Sequence, residues 1–443
     1  MISLGCAKNQ ADSETVLGQI VVAERRAVLC SEPEDADIVV VNTCGFLKAA
    51  RDEADETLSA VEELQVSGHV KRIVVIGCYP QLWKGQVMKR HPGLYAVMGA
   101  DAMYQTRFWE ELLRDPVVSP IQESVDVATI RTFEAPRVLV GSRPYAYLKI
   151  SDGCSEHCTY CTIPQIKGPL VSRTPETILH EAEQLVQAGA SEIILVAQNT
   201  SAYGMDLSPN RHPRLASLLR ALDELQGITL LRVLYLYPTL VTDELLETMA
   251  GSRHIVHYVD IPLQHTDPTI LKSMSRPWTE KSTTRIIERV REAMPDAAIR
   301  STFIVGFPGE TEDQFQRLLH DVSALRLDHA SAFAYSREAK AVSATFPNQI
   351  HEATKNRRLR EFMAVQQEIS LSINQQRYLN KDIQIIVDET TQSGFSGRTM
   401  LDAPDVDNVV VVSSVRKRKP AVGSICTVHI TAAGPYDLEG ILV

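Results

Sequence analysis

Apolar residues in the first part of the chain come in short Val- and Ile-rich runs, at residues 36–41 and 72–76. Each is followed by an amphipathic stretch, at 46–64 and 81–90. Continuous apolar runs of this length predict strands buried on both faces, and the stretches after them predict helices. With a stub of strand at residues 2–4, the alternation predicts a small open parallel α/β sheet with helices on both faces. Residues 115–144 hold prolines at 116, 120, 136 and 144 and little periodicity, which predicts a linker.

A second β–α series follows, with strands expected at 145–150, 192–197, 230–236, 255–261, 298–305 and 330–335. Helices are expected between them, for example at 175–188, with Thr174 as N-cap and Gly189 just past the end. Six such units fall short of a full eight-strand barrel, so the expectation is an open, partial (β/α)6 barrel. Beyond residue 376 the pattern changes to short β-rich runs at 382–387, 409–412 and 425–430, divided by Gly, Asp and Ser. That predicts a small all-β module. The expected domains are 1–115, a linker over 116–142, a β/α core over 143–373 and a β-module over 376–443.

Composition narrows the class. Hydrophobic residues make up 44% and charged residues 23%, an ordinary globular balance. No apolar stretch approaches the ~20 residues that span a bilayer, and residues 1–10 lack the apolar core of a secretory signal. A cytoplasmic protein with no membrane partner is expected. The net charge of −10 argues against a general nucleic-acid coat and favours a basic partner.

The cysteines carry the chemistry. Without an export signal, eight of them in 443 residues point to metal or redox work rather than a disulfide framework. Cys154-Ser-Glu-His-Cys158-Thr-Tyr-Cys161 follows the first strand of the β/α series, at the end where barrel enzymes place their chemistry. Three thiolates cannot close a tetrahedral zinc site without a fourth ligand, whereas iron–sulfur clusters are held by thiolates in short loops of this kind. A zinc site borrowing His157 is the competing reading. Cys6, Cys44 and Cys78 each fall at or just past the end of an expected strand, next to Gly5, Gly45 and Gly77. Parallel sheets bind ligands outside those ends, so these thiols form a candidate second cluster site; three buried structural cysteines are the alternative. Cys30 and Cys426 fit neither set.

The spacing of Cys154, Cys158 and Cys161 resembles the radical S-adenosylmethionine (SAM) superfamily, in which a 4Fe–4S cluster binds and cleaves SAM. Both cysteine sets together resemble the methylthiotransferases of that superfamily, which have a cluster-binding N-terminal domain, a radical core and a C-terminal TRAM module. Ser3-Leu-Gly-Cys-Ala-Lys-Asn9, Asp12-Ser-Glu14, Asn42-Thr-Cys-Gly-Phe46, Gln198-Asn-Thr-Ser-Ala-Tyr-Gly204, Leu170-Val-Ser-Arg173 and Tyr436-Asp-Leu-Glu-Gly440 resemble its RimO branch. The resemblance implies two 4Fe–4S clusters, SAM, a reductant and a sulfur donor. It also implies transfer of a methylthio group to the β-carbon of an aspartate in ribosomal small-subunit protein twelve. The alternative is a tRNA methylthiotransferase of the MiaB type. Two departures stand out: the strand before Cys6 is short, as in a chain that starts late, and Asn199 stands where the branch commonly has aspartate.

Under this resemblance, Tyr160 would lie near the adenine, and Gln198, Gln264, His265, Arg300 and Thr302 would face the top of the barrel as contacts to SAM or substrate. Internal hydrogen bonding is the competing role for each. The basic run at 416–419 reads first as a solvated loop and second as a ribosomal RNA contact.

Overall fold

The computed structural model describes residues 1–24, 27–100, 102–104, 106–113, 137–141, 143–277, 280–413 and 419–443. They form two compact units. The first comprises Met1–Val140, Ser151–Arg173 and Glu338–Ala341; the second comprises Gly141–Ile150, Thr174–Arg337 and Val342–Val443. The expected linker falls largely on residues 114–136 and 142, outside the described residues.

In the first unit, β1 (Ile2–Ser3), β2 (Ile38–Thr43), β3 (Arg72–Gly77) and β4 (Ala96–Val97) form a parallel sheet in sequence order. The helices are α1 (Ala7–Ala23), α2 (Lys48–Val66), α3 (Cys78–Arg90) and α4 (Thr106–Leu113). Both faces of the sheet are covered, as the unbroken apolar runs require. Val40 and Val74 join a core with Val16 of α1 and Trp109 of α4. Val39, Val41 and Val75 join the opposite core with Leu58 and Val61 of α2 and Tyr79 of α3.

The chain then makes β5 (Tyr145–Lys149), part of the second unit, and returns to the first for 151–173. That segment is a ribbon of β6 (Ser151–Asp152) and β7 (Val171–Ser172), with a loop and the short helix α5 (Ile163–Lys167) between them. The cysteine loop therefore folds with the N-terminal sheet, not with the barrel strands that flank it in sequence.

In the second unit, α6 (Pro175–Gln187), β8 (Glu192–Val196), α7 (Leu215–Asp223), β9 (Leu230–Val233), α8 (Asp243–Gly251), β10 (Tyr258–Asp260), α9 (Pro268–Ser273), α10 (Glu280–Ala293), β11 (Ala298–Val305), α11 (Glu312–Leu325) and β12 (His329–Ala334) alternate. Parallel sheets β5-β8-β9 and β10-β11-β12 are linked by a bridge from Leu231 to Ile255 and by Leu236 N–H on Asp260 O at 2.9 Å. This is the six-stranded partial barrel. Thr174 caps α6 by accepting from Thr177 N at 3.4 Å. A 26-residue helix, α12 (Glu352–Arg377), packs on β12. Finally β13 (Asp382–Thr390), β14 (Phe395–Thr399), β15 (Val410–Val412), β16 (Ile425–Ala433) and β17 (Leu438–Leu442) close into a small barrel around Ile385, Phe395, Val428 and Leu438.

The turn between β14 and β15 enters the N-terminal end of the large barrel. Asp405 accepts from the Tyr145 and Tyr147 hydroxyls at 2.9 and 3.1 Å. Asp407 accepts from Tyr258 at 2.6 Å and pairs with Arg300 at 3.4 Å, and Asp402 pairs with His329 at 3.3 Å. Beside them, Glu192 lies between Arg232 and Arg398, each at 2.7 Å. Tyr145, Glu192, Tyr258 and His329 each begin their strand, so this network shuts the end of the barrel opposite the strand C-termini.

Candidate active site

The N-terminal thiols converge because three adjacent parallel strands end side by side. Cys6 precedes α1, Cys44 follows β2, and Cys78 opens α3 directly after β3. A Cβ added to Gly5 would lie 2.7 Å from Cys44 Cβ, and one added to Gly45 would lie 2.6 Å from the Cys78 carbonyl oxygen. The neighbour of the first cysteine thus touches the second, and the neighbour of the second touches the third. These glycines leave a cradle that side chains would fill. Asn9 braces it: its Nδ2 donates to Leu4 O at 3.0 Å, and Asn42 Nδ2 donates to Asn9 O at 2.9 Å.

Burial pushes the Cys44 thiol up, and Cys6 adds to that. Burial pushes Cys78 well up too; Lys167 opposes the shift, while Cys44 and Cys6 reinforce it. Crowded, desolvated thiols of this kind keep their protons until a metal replaces them. Among the described residues no group of three or more His, Cys, Asp or Glu is gathered as for one metal ion.

The second cysteine set lies on the turn between β6 and α5. Cys154 N–H donates to Gly168 O at 3.0 Å, Cys161 N–H donates to Cys158 O at 3.1 Å, and Ile163 N–H points at Cys161 Sγ at 3.4 Å. An amide aimed at sulfur suits a metal-bound thiolate, whose charge it stabilises. All three thiols are partly exposed. Gly153 has φ +76°, and a Cβ there would sit 2.1 Å from Pro169 O, so the loop depends on this glycine. Tyr160 is half-buried on the same loop.

The remaining sequence-derived candidates lie in the second unit and differ among themselves. Gln198 follows β8 and is half-buried. Its neighbour Asn199 is 3% exposed; Oδ1 accepts from Ala202 N and Ser201 Oγ, while Nδ2 has no protein partner. An orphaned donor at a strand C-terminus fits a bound polar ligand. Gln264 adopts φ +71° and bonds through its backbone to Thr302 O and Ile304 N on β11. Thr302 is half-buried on that strand.

Two expectations are corrected by placement. His265 has no exposed surface; its Nδ1 accepts from Asp267 N at 2.9 Å and its Nε2 reaches Glu310 at 3.2 Å. Both ring nitrogens are used internally. Arg300 is the third residue of the eight in β11, not at its C-terminal end. Its guanidinium pairs with Asp260 at 3.5 Å and Asp407 at 3.4 Å in the network that shuts the barrel. The strand has the expected bounds; Arg300 was misplaced because it stands near the start of that strand, beside Asp407.

Sequence reasoning did not single out Asn199 as a donor, nor the buried charges Asp12, Asp152 and Lys167. Their signal in the sequence was charge beside each cysteine motif, which a solvated face produces equally well. Of the basic run, residues 416–418 lie outside the described residues, and Lys419 donates to the carbonyls of Thr391 and Gln392.

Comparison with known proteins matches residues 148–322 to the radical SAM superfamily, 1–99 to the uncharacterized protein family UPF0004 and 381–443 to the TRAM domain. Relatives named ribosomal protein uS12 methylthiotransferase RimO match over full length. That of Moorella thermoacetica is 40% identical, covering 99% of this chain and 98% of its own. Those of Synechococcus sp. strain JA-2-3B'a(2-13) and Clostridioides difficile are 39% and 36% identical, covering 100% and 99% of this chain and 91% and 97% of their own. The chain belongs to the RimO family. The MiaB alternative is not favoured. As a radical SAM protein of the RimO family, it uses a 4Fe–4S cluster and SAM.

Among solved structures, the radical SAM methyltransferase TsrM from Kitasatospora setae superposes with TM-score 0.50 at 16% identity, covering 74% of this chain and 72% of that one. The cobalamin-dependent SAM radical enzyme OxsB gives 0.52 at 14%, covering 79% and 53%. These two likenesses concern the fold alone. No described helix is long and apolar enough to cross a membrane.

Proposed function

We propose that this protein attaches a methylthio group to ribosomal protein uS12, as the names of its RimO relatives suggest, and that the acceptor is the β-carbon of an aspartate, as the sequence resemblance implies. It would do so in the cytoplasm with two 4Fe–4S clusters. Cys154, Cys158 and Cys161 hold the one that takes SAM, and Cys6, Cys44 and Cys78 hold the other. The observation that carries the second cluster is the chain of contacts from Gly5 to Cys44 and from Gly45 to Cys78.

An unactivated C–H bond has no acidic proton for a general base, and the bound clusters and SAM supply the radical chemistry it needs instead. The chain's own residues bind, orient and exclude water. Six thiolates anchor the cofactors. Asn199 and Gln198, after β8, and Thr302 and Gln264, on or beside β11, present polar groups toward SAM or the substrate. Tyr160 is a wall of the cluster loop. The ion pairs around Glu192 and Asp407 keep water out of the far end of the barrel. The remaining partners are a reductant, a sulfur donor and ribosomal RNA at the TRAM module.

Anaerobic purification with iron analysis tests the cofactor reading: about eight irons per chain support two clusters, and stoichiometric zinc with little iron rejects them. Incubation with SAM, reductant, sulfide and either uS12 or tRNA tests the substrate. A methylthio mass increase on RNA and none on uS12 would reject the assignment.

A further inference from the structure

A buried cation links the two cysteine-bearing segments of the first unit. Lys167 is the last residue of α5, six positions after Cys161; Asp12 lies on α1, six positions after Cys6; Asp152 ends β6, two positions before Cys154. Lys167 Nζ donates to Asp12 Oδ2 at 3.2 Å and to Asp152 Oδ2 at 3.3 Å, and all three side chains are 3% exposed or less. The carboxylates are themselves held. Asp12 accepts from the Tyr104 hydroxyl, and Asp152 Oδ1 accepts from Gly153 N at 3.1 Å. Ile166, next to Lys167, shares an apolar cluster with Cys78, Ala100, Leu82 and Ile163.

A buried cation between carboxylates is a weak device for stability, because apolar side chains of similar volume serve as well. What it adds is direction: it fixes three groups at hydrogen-bonding distance where apolar packing would let them slide. Here one arm reaches the helix after Cys6 and the other reaches the strand before Cys154. We propose that Lys167 is a positioning residue that sets the separation of the two cysteine sites, and so couples radical formation at one to methylthio delivery from the other. This rests on the two-cluster reading above. Reactions between separately held groups are steep in distance; a displacement of about 1 Å costs on the order of a hundredfold.

The test uses the full chain, purified anaerobically with its clusters. Two signals are read: the magnetic interaction between the reduced clusters by electron paramagnetic resonance, and the methylthio product formed per 5′-deoxyadenosine released. In Lys167→Met the clusters are retained, the magnetic interaction changes, and product per 5′-deoxyadenosine falls at least about tenfold. Lys167→Arg, which keeps the charge and the donors, restores both signals. An unchanged interaction and an unchanged ratio in Lys167→Met overturn the proposal. If that variant loses iron or fails to fold, Asp152→Asn answers the question, because it keeps the Lys167–Asp12 arm and weakens the other. The same uncoupling is expected there, and a parental ratio overturns the proposal. A parent protein with about four irons and no magnetic interaction removes the two-cluster reading itself, and Lys167 coupling with it.

Discussion

Glu192→Gln probes the charged network at the closed end of the barrel. Glu192 has no exposed surface and faces Arg232 Nε and Arg398 Nη1, each at 2.7 Å. Burial alone would raise its pKa, but Arg398 and Arg232 together hold it below the usual carboxylate range. Glutamine keeps the volume and removes the charge. Arg398 retains Asp388 at 2.9 and 3.0 Å, whereas Arg232 is left with the Met400 carbonyl at 3.1 Å and the face of Tyr258. Breaking a buried pair by removing one partner costs about 3–5 kcal/mol, and the surviving Asp388 contact argues for the lower end. At ~2–4 °C per kcal/mol for a unit of this size, ~3 kcal/mol lowers the melting temperature by roughly 6–12 °C. Circular dichroism of the full chain during heating reads the shift, and iron content should be unchanged. A shift below ~2 °C refutes the reasoning. Glu192→Met with Arg232→Met removes both ends of one pair and should recover most of the loss. If the double variant is as unstable as Glu192→Gln, the cost came from packing rather than from stranded charge.

Other outcomes follow from the same structure. Cys158→Ala should abolish 5′-deoxyadenosine formation, and detectable SAM cleavage at the parental rate would contradict the ligand assignment. Cys44→Ala should cleave SAM yet transfer no sulfur to uS12; full product from this variant would remove the second cluster site. Gly153→Ala forces a Cβ against Pro169 O, so iron bound by the 154–161 loop should be lost, and total iron should fall from about eight to about four per chain. For His329, burial would lower the imidazolium pKa, but Asp407 and Asp402 outweigh it and raise the value to about 9. The folded value lies above the unfolded one, so the stabilisation, on the order of 3 kcal/mol, is complete below pH ~6.5 and fades as pH rises through about 9. Urea midpoints on both sides of that window should differ in the parent and converge in His329→Phe; a flat parental profile would contradict this.

Legibility in the sequence followed how each element buries its surface. β2 and β3 were readable because strands covered on both faces are unbroken apolar runs. Helix α1 was not expected, because it buries Asn9, Asp12, Ser13, Glu14 and Gln19 and shows no apolar stripe. Helix α12 was missed for the same reason, with Lys355, Arg358 and Gln366 buried along it. Thr174 at the start of α6 was readable, because a cap is a local hydrogen bond.

The two cysteine sets and their glycine neighbours were legible in the sequence, one set at three strand ends and the other in a short loop, because candidate metal ligands and tight backbone turns call for particular residue types at short range. The tertiary structure decided which polar residues pair with one another. It assigned His265 to Glu310 and Arg300 to Asp407, and it brought Asp12, Asp152 and Lys167 together from three segments. A charge shows in the sequence only that it needs water or a partner, and the partner is chosen by strand register and packing across long separations.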